Sequence, residues 1–181
     1  MPSLPVPSGL ARDGVVLRRL RARDAAPYAA AFRDDPRLGA AIGSEEDPTE
    51  MSVRRFIARQ PALRARGEFL GLAVTDASEK PFLGHVMLHS FAWRHHRAEL
   101  GYWLVPAARG RGTGRTAVRL LADWAFAALP LDRIEITTTP DNAAARALAA
   151  SLGFAQEGIM RARNHERGRS IDVVMLARLR K

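Results

Sequence analysis

Apolar side chains recur every three to four positions in four stretches of the chain, which is the spacing of one helical face. The four helices are predicted over 24–35, from 47 to about 66, over 113–129 and from 141 to 153. The first should end before Pro36, and the second should begin with Asp47 as its N-cap and Pro48 in its first position. Pro61 lies inside this second helix, where we expect it to kink or split the helix.

Short segments that alternate between apolar and polar residues, or are apolar throughout, predict seven strands. They lie at 15–17, 69–75, 82–91, 98–105, 133–138, 155–160 and 171–179. A turn signal at 76–80 joins two of them, and a loop rich in Arg, Gly and Asn separates the last two. The pattern therefore predicts an α+β fold, with a mixed, mostly antiparallel sheet of about seven strands flanked by about four helices.

The expected organisation is one domain over 15–181, preceded by a flexible N-terminal tail over 1–14. With 181 residues the chain can bury one sizeable core. The tail has three prolines and no charged segment ahead of an apolar run, so it is unlike a signal peptide. No apolar run reaches the roughly 20 residues that cross a membrane. We therefore expect a cytoplasmic protein without a membrane partner.

The chain contains no cysteine, which excludes disulfides, thiolate metal sites and a cysteine acyl-enzyme intermediate. His85 and His89 share one strand face by their spacing, and His95 and His96 lie in a turn. Nothing in the sequence brings these rings together with further ligands, so no metal site is predicted.

The formal net charge is +9, and 26 of the 28 basic residues are arginine. A GC-rich genome would produce this excess of arginine through codon usage. A surface that contacts phosphates, RNA or the ribosome would also produce it. The arginines are not interleaved with aromatic residues, so the charge modifies the choice of partner without defining the function.

Residues 109–114 form a glycine-rich loop between a predicted strand and a predicted helix. Glycines let the backbone approach a ligand and direct successive N–H groups into one hollow, and the helix N-terminus adds partial positive charge. Such a loop is suited to phosphate. The expected contacts are Arg109, Gly110, Arg111, Gly112, Thr113, Gly114 and Arg115.

The spacing Arg109-x-x-Gly112-x-Gly114 resembles the acyl-CoA pyrophosphate loop of the GNAT superfamily of N-acetyltransferases. A second GNAT-like signature begins at Asn142 and runs through an apolar helix to Gly153 and Phe154. The segments 99–106 and 158–161, with Asp172, are similar to the RimJ/RimL-like branch, and the resemblance covers about 13–179. It implies a mixed sheet in which two strands, mapped here to 99–105 and 134–138, splay apart around the pantetheine arm of acetyl-CoA.

By this resemblance, backbone groups of Leu104 and Val105 bond the pantetheine amides, as an added strand would. Asn142 contacts the same arm from the following helix. Asparagine is also a common helix N-cap, so Asn142 has a structural interpretation too, unless Asp141 takes that position.

The implied reaction is direct transfer of acetyl to an amine, which must lose a proton to attack. The resemblance makes Glu99 the candidate general base, because a carboxylate on this strand often has that role in the family. The alternatives are an ordinary solvated glutamate paired with Arg97 or Arg94, or a base at His85 or His89. Two acid positions of the family are occupied by Ala145 and Ala149, so no general acid is assigned; Tyr102 and Ser151 are poor substitutes in the sequence. A thiol of pKa about 8.5 can leave as a thiolate.

The acceptor is expected to be an α-amine, because neutralising an amine of pKa about 7.8 at pH 7.4 costs about 0.5 kcal/mol, against about 4 kcal/mol for lysine. Known members of the resembling branch modify protein N-termini, some of them ribosomal. Polyamine or aminoglycoside acetylation stays open, as does a non-catalytic acyl-CoA-binding protein. Family likeness favours a homodimer, which no residue pattern specifies. The resemblance implies an acceptor cleft between an acidic loop (Asp34, Asp35, Glu45, Glu46 and Asp47) and a basic loop (Arg161, Arg163, His165, Arg167 and Arg169). The acidic rim could attract a cationic amine, or Asp47 could simply cap a helix while the other acidic residues are solvated.

Overall fold

The structure is a computed structural model that describes residues 2–35, 37–41, 47–166 and 168–181. Eight strands in these ranges form one sheet in the order β1-β2-β3-β4-β5-β6-β8-β7. The strands are β1 Leu10–Arg12, β2 Val15–Arg19, β3 Leu70–Asp76, β4 Gly84–Ala92, β5 Arg97–Leu104, β6 Arg133–Thr138, β7 Ala155–Glu166 and β8 Arg169–Leu179. Only the β5–β6 pair is parallel in this sheet. The predicted α+β class with a mostly antiparallel sheet is confirmed.

Five α-helices accompany the sheet in the described part of the chain. They are α1 Ala25–Asp34, α2 Arg37–Ala41, α3 Glu50–Ala65, α4 Thr113–Ala128 and α5 Ala143–Ser151. Leu72 and Val74 of β3 point to the core under α4 and α5, whereas Ala73 between them points to the core under α1 and α3. The alternation of a strand therefore gives the sheet two separately buried faces.

The N-terminal segment departs from the expected tail. Residues Leu10–Arg12 form β1, an edge strand paired antiparallel with β2, and this is the strand missing from the predicted seven. Farther upstream, Leu4 is 4% exposed and its N–H donates to the carbonyl of Arg64. This contact joins the start of the chain to the end of α3, a pairing that no local pattern encodes.

Helix α3 begins and continues differently from the prediction. Thr49 is its N-cap, with its hydroxyl accepting the N–H of Ser52, so the assignment of that position to Asp47 was wrong. Pro61 lies inside α3, which runs unbroken from Glu50 to Ala65. The expected split is absent from this fully described helix.

The last two strands are longer than predicted. Strand β7 runs to Glu166 and β8 starts at Arg169, so most of the expected loop is a two-stranded ribbon. The ribbon continues past the end of β6, and register shifts between Gln156 and Gly158 and between Met160 and Asn164 bend it. Polar sequence predicted a loop here because neither face of a projecting ribbon is buried.

Candidate active site

The loop after β5 makes a sharp turn into α4, and its glycines have conformations that other residues rarely adopt. Gly110 has φ +72° and Gly112 has φ +80°, and no atom lies within 4 Å of a Cβ built at either position. The backbone angle therefore requires glycine there, without crowding. The first helical bond of α4 runs from Thr116 N–H to the Gly112 carbonyl, at 3.0 Å. The N–H groups of Thr113, Gly114 and Arg115 precede it and have no acceptor within the helix.

Gly114 is constrained in a different way. A Cβ on Gly114 would lie 3.2 Å from Leu148 Cδ1 and 3.3 Å from Leu104 Cδ1, with Tyr102 Cε2 at 3.6 Å. Glycine therefore allows the first turn of α4 to pack tightly against β5 and α5. This packing holds the free N–H groups at the end of the sheet.

The three arginines predicted to surround phosphate divide into two kinds. Arg111 and Arg115 are exposed, and neither forms an ion pair with another described residue. Arg109 instead turns inward: its Nη1 is 2.6 Å from Asp35 Oδ2, and its Nε and Nη2 donate to the Leu104 carbonyl at 3.0 and 2.8 Å. Its guanidinium is therefore already paired within the protein. The geometry leaves the predicted phosphate contact to Arg111 and Arg115 and makes Arg109 the tether between the loop and α1.

Asp35 is buried, so it does not belong to the expected exposed acidic loop. Its side chain is 5% exposed and accepts hydrogen bonds from Arg37 and Arg109. These bonds, that of Arg37 first, lower the pKa of Asp35 to about 2 although burial opposes the shift. Asp34 and Asp47 are exposed as predicted, whereas Glu45, Glu46 and the basic Arg167 lie outside the described residues.

Strands β5 and β6 form a fork. They pair in parallel from Arg97 opposite Arg133 to Glu99 opposite Glu135, and no further pair follows along these two fully described strands. Three of the backbone groups expected to bond pantetheine have internal partners. The Leu104 carbonyl accepts from Arg109, the Val105 N–H donates to the Leu83 carbonyl, and the Val105 carbonyl accepts from the Ala108 N–H. Of these four backbone groups, the Leu104 N–H is therefore the one left to contact the arm.

Glu99 lies at the point where the fork opens. Its Oε1 accepts a hydrogen bond from the hydroxyl of Thr137 on β6, across the gap. The alternative salt bridge between Glu99 and Arg97 is not formed, because the Arg97 guanidinium pairs with the Glu135 carboxylate at 2.8 Å. Among the described residues no cation pairs with Glu99, so its carboxylate is held by a neutral donor. Thr137 was not predicted as a site residue, because its only signal in the sequence was its place on the polar face of β6.

His89 faces Glu99 across the β4–β5 pair. Its Nδ1 is 2.9 Å from Ser90 Oγ, and burial lowers its pKa even though the Glu99 carboxylate opposes that shift. His85, the other histidine on this face, is 1% exposed, and burial lowers its pKa to about 3. Of the two alternative bases, only His89 lies beside the fork.

Asn142 has the structural role that the sequence left open. Its Oδ1 accepts the N–H of Ala145 at 3.1 Å and caps α5, while Asp141 is exposed. Capping fixes the amide and directs its Nδ2, which has no protein acceptor among the described residues, away from the helix. Asn142 can therefore cap α5 and donate to a ligand at the same time, and the second role stays a prediction.

The proton donor to the leaving group stays unassigned. Ala149 is fully buried, and the Ser151 hydroxyl donates to the Leu148 carbonyl at 2.7 Å. Tyr102 lies on β5 beside Gly114, and burial raises its pKa to about 12, which keeps its phenol protonated. Within the described residues no three His, Asp or Glu side chains are grouped as metal ligands. No helix in those ranges is long and apolar enough to cross a membrane.

Comparison with known proteins identifies the family of this chain. Residues 15–155 match the family described as Acetyltransferase (GNAT) domain. The chain belongs to the GNAT acetyltransferase family. That match spans β2 to the start of β7 and includes every element of the candidate site. The chain is therefore an acetyltransferase, as the resemblance implied.

Sequence and structural relatives of this acetyltransferase cover nearly its whole length. The N-acetyltransferase YoaA of Bacillus subtilis is 26% identical over 163 residues, which are 90% of this chain and 92% of that protein. Mycobacterium smegmatis RimJ, solved with CoA-disulfide, has a TM-score of 0.82 at 25% identity, covering 91% of this chain and 81% of RimJ. The spermidine N-acetyltransferase of Vibrio cholerae, solved with CoA and spermine, has a TM-score of 0.79 at 22% identity, covering 93% and 96%. The likeness to the RimJ/RimL branch is confirmed, and the acceptor is left undetermined.

Proposed function

We propose that this acetyltransferase moves the acetyl group of acetyl-CoA directly to an α-amine of a peptide or protein N-terminus. Both substrates are bound together. The observation that carries the proposal is the Glu99 carboxylate at the mouth of the β5–β6 fork, held by Thr137 and paired with no cation among the described residues. The family fold would place the thioester in this fork, and Glu99 would stand beside it.

In this mechanism the neutral amine nitrogen attacks the thioester carbonyl carbon, and Glu99 accepts the proton that the nitrogen loses, directly or through water. The C–N bond forms, the C–S bond breaks, and CoA leaves as a thiolate. The unpaired N–H groups of Thr113, Gly114 and Arg115 and the charges of Arg111 and Arg115 would hold the pyrophosphate. Leu104, Val105 and the Asn142 amide would align the pantetheine arm.

An α-amine fits a site with one base and no assigned acid. Its pKa of about 7.8 leaves a substantial neutral fraction near pH 7.4, whereas a lysine of pKa about 10.4 would need far more help. A polyamine or an aminoglycoside is the alternative acceptor. A non-catalytic acyl-CoA-binding protein is the alternative function, supported by alanine at positions 145 and 149.

The test is release of CoA thiol from acetyl-CoA in the presence of N-terminal peptides, lysine peptides, polyamines and aminoglycosides. Glu99→Gln should lower kcat by about 10²- to 10⁴-fold, because a general base typically contributes that much. The Kd for acetyl-CoA, measured by calorimetry, should not change. Glu157→Gln, which alters an exposed glutamate on β7, is the matched control and should keep wild-type kcat.

Other outcomes of this test are equally informative. Fast acetylation of lysine peptides with none at N-termini would contradict the proposed acceptor. Tight acetyl-CoA binding without thiol release for any acceptor would support the binding protein instead.

A further inference from the structure

Four unpartnered buried polar atoms gather on the face of the sheet that carries Glu99. They are Gln60 Nε2, both ring nitrogens of His85 and Trp103 Nε1; none has a partner with good hydrogen-bond geometry among the described residues, and Trp103 Nε1 has the Tyr28 hydroxyl nearby. The three side chains, here called the polar cluster, are 7%, 1% and 3% exposed. More than nine in ten buried polar groups in proteins are paired, so such a concentration indicates a site for a ligand.

The polar cluster is connected to Glu99 by one row of the sheet. In register, Gly71 of β3 faces Met87 of β4, which faces Gly101 of β5. A Cβ on Gly71 would lie 2.5 Å from His85 Nε2, 2.7 Å from Phe69 Cε1 and 3.1 Å from Gln60 Nε2, so both nitrogens converge over this glycine beside the Phe69 ring. At the other end of the row, His89 Nε2 lies 3.2 Å from a Cβ built on Gly101, one pleat from Glu99.

This geometry sets the distance between the reacting amine and the polar cluster. Neighbouring strands are about 4.8 Å apart, so the row from Gly101 to Gly71 spans about 10 Å. An extended peptide covers that span with about three residues. Exposure falls along the row, from the half-buried Glu99, Gly101 and Met87 to the buried Gly71.

The chemistry of the polar cluster selects a neutral group. Gln60 Nε2 and Trp103 Nε1 are donors, and a neutral imidazole at His85 supplies one more donor and one acceptor. The aromatic rings of Tyr28, Phe56 and Phe69 surround His85 at 5.6 to 6.3 Å between centroids, and the polar cluster contains no carboxylate. A carbonyl or hydroxyl would satisfy these donors. The second ammonium of a polyamine would face them without a counter-charge.

We propose that the polar cluster of Gln60, His85 and Trp103 binds a peptide carbonyl or hydroxyl of the acceptor about 10 Å from the reacting amine. The site thereby selects peptides over polyamines. This inference rests on the proposed function, since it assumes that Glu99 marks the position of the amine.

The experiment compares alanine amide with a tetrapeptide amide that begins with alanine, for the wild type and for His85→Leu and Gln60→Met. Each variant should raise KM for the tetrapeptide about five- to tenfold, because one hydrogen bond to a buried partner is lost. The KM values for alanine amide and acetyl-CoA should stay within about twofold of wild type. Spermidine should be a poorer acceptor than the tetrapeptide for the wild type.

Stability supplies a second readout that does not depend on catalysis. Without acceptor, His85→Leu should raise Tm by about 2–4 °C, because an apolar side chain replaces an unpaired buried ring. The control Val86→Ala changes the neighbouring residue on the opposite face, and should lower Tm while leaving the tetrapeptide KM at the wild-type value.

The outcomes separate this inference from the proposed function. Unchanged tetrapeptide KM in both variants, or spermidine as the preferred wild-type acceptor, would overturn the polar cluster as a peptide subsite while acetyl transfer itself stands. Wild-type protein that acetylates no acceptor would overturn the proposed function, and this inference with it. A rise in the Tm of His85→Leu, together with a rise in its KM for the tetrapeptide, supports the polar cluster as a peptide subsite and the proposed function on which it rests.

Discussion

At the scale of single residues, the site depends on which charged side chains are already paired with other groups of the protein. Arg109 looks in the sequence like Arg111 and Arg115, yet its guanidinium bonds Asp35 and the Leu104 carbonyl. A cation that is already paired adds little to phosphate binding and much to the position of the loop. The tether joins residues 74 positions apart, from the end of α1 to the loop before α4.

The Asp35 tether predicts a specific acid dependence of stability. Because the pKa of Asp35 is lowered from 3.8 to about 2 by folding, its ionised form stabilises the protein above about pH 4, and this contribution is lost as pH falls toward 2. Asp35→Asn should lower the free energy of unfolding at pH 7, and the difference from wild type should shrink between pH 4 and 2. Denaturant unfolding of both proteins at pH 7, 4 and 3 measures this difference in the free energy of unfolding. A difference that does not change with pH would show that the charge of Asp35 is not what holds the loop.

Two substitutions of Asn142 separate its capping of α5 from its proposed contact with acetyl-CoA. Asn142→Asp keeps the acceptor oxygen for Ala145 N–H and removes the amide donor, so stability should be retained while the Kd for acetyl-CoA rises. Asn142→Ala removes both and should also lower the free energy of unfolding by about 1 kcal/mol. Calorimetric Kd and urea unfolding report the two effects. Equal Kd in wild type and Asn142→Asp would assign Asn142 to capping alone.

At the scale of elements, the loop from β5 to α4 is specified by backbone conformation. Gly112→Ala places a side chain at φ +80°, which strains the turn and should cost about 1 kcal/mol of stability and weaken acetyl-CoA binding. Gly153→Ala is a matched control, since Gly153 has φ +82° with equally open surroundings after α5. It should cause the same loss of stability with unchanged Kd. A similar rise in Kd for both variants would mean that instability, not loop geometry, weakens binding.

At the scale of the whole molecule, the net charge of +9 raises the question of whether cofactor binding depends on local or overall charge. Arg111→Gln/Arg115→Gln removes two charges at the loop, and Arg161→Gln/Arg163→Gln removes two from the β7–β8 ribbon. The first pair should weaken acetyl-CoA binding about tenfold at low salt and flatten its salt dependence, because screening acts over about 10 Å at 0.1 M. The ribbon pair should leave the calorimetric Kd nearly unchanged. Equal effects of the two pairs would show that overall charge governs binding.

The sequence by itself determined the parts of the protein that depend on near neighbours. The glycine spacing at 110–114, the α4 and α5 periodicities and the alternation of 133–138 required no distant partner. Glu99 and Asn142 became candidates through the resemblance of their segments to GNAT motifs. Thr49, and not the predicted Asp47, caps α3. Several polar side chains lie within a few residues of this helix end and compete to cap it.

Only the tertiary structure decided the contacts set by the register and twist of the sheet. Pairing of β5 with β6 places Thr137 on Glu99 across 38 positions, and the packing of α1 against the loop gives Arg109 its partner Asp35. The edge position of β1 and the gathering of Gln60, His85 and Trp103 arise in the same way. Each of these contacts depends on which strands lie side by side. The observed arrangement minimises the free energy of the whole core, and no local pattern of residues specifies it.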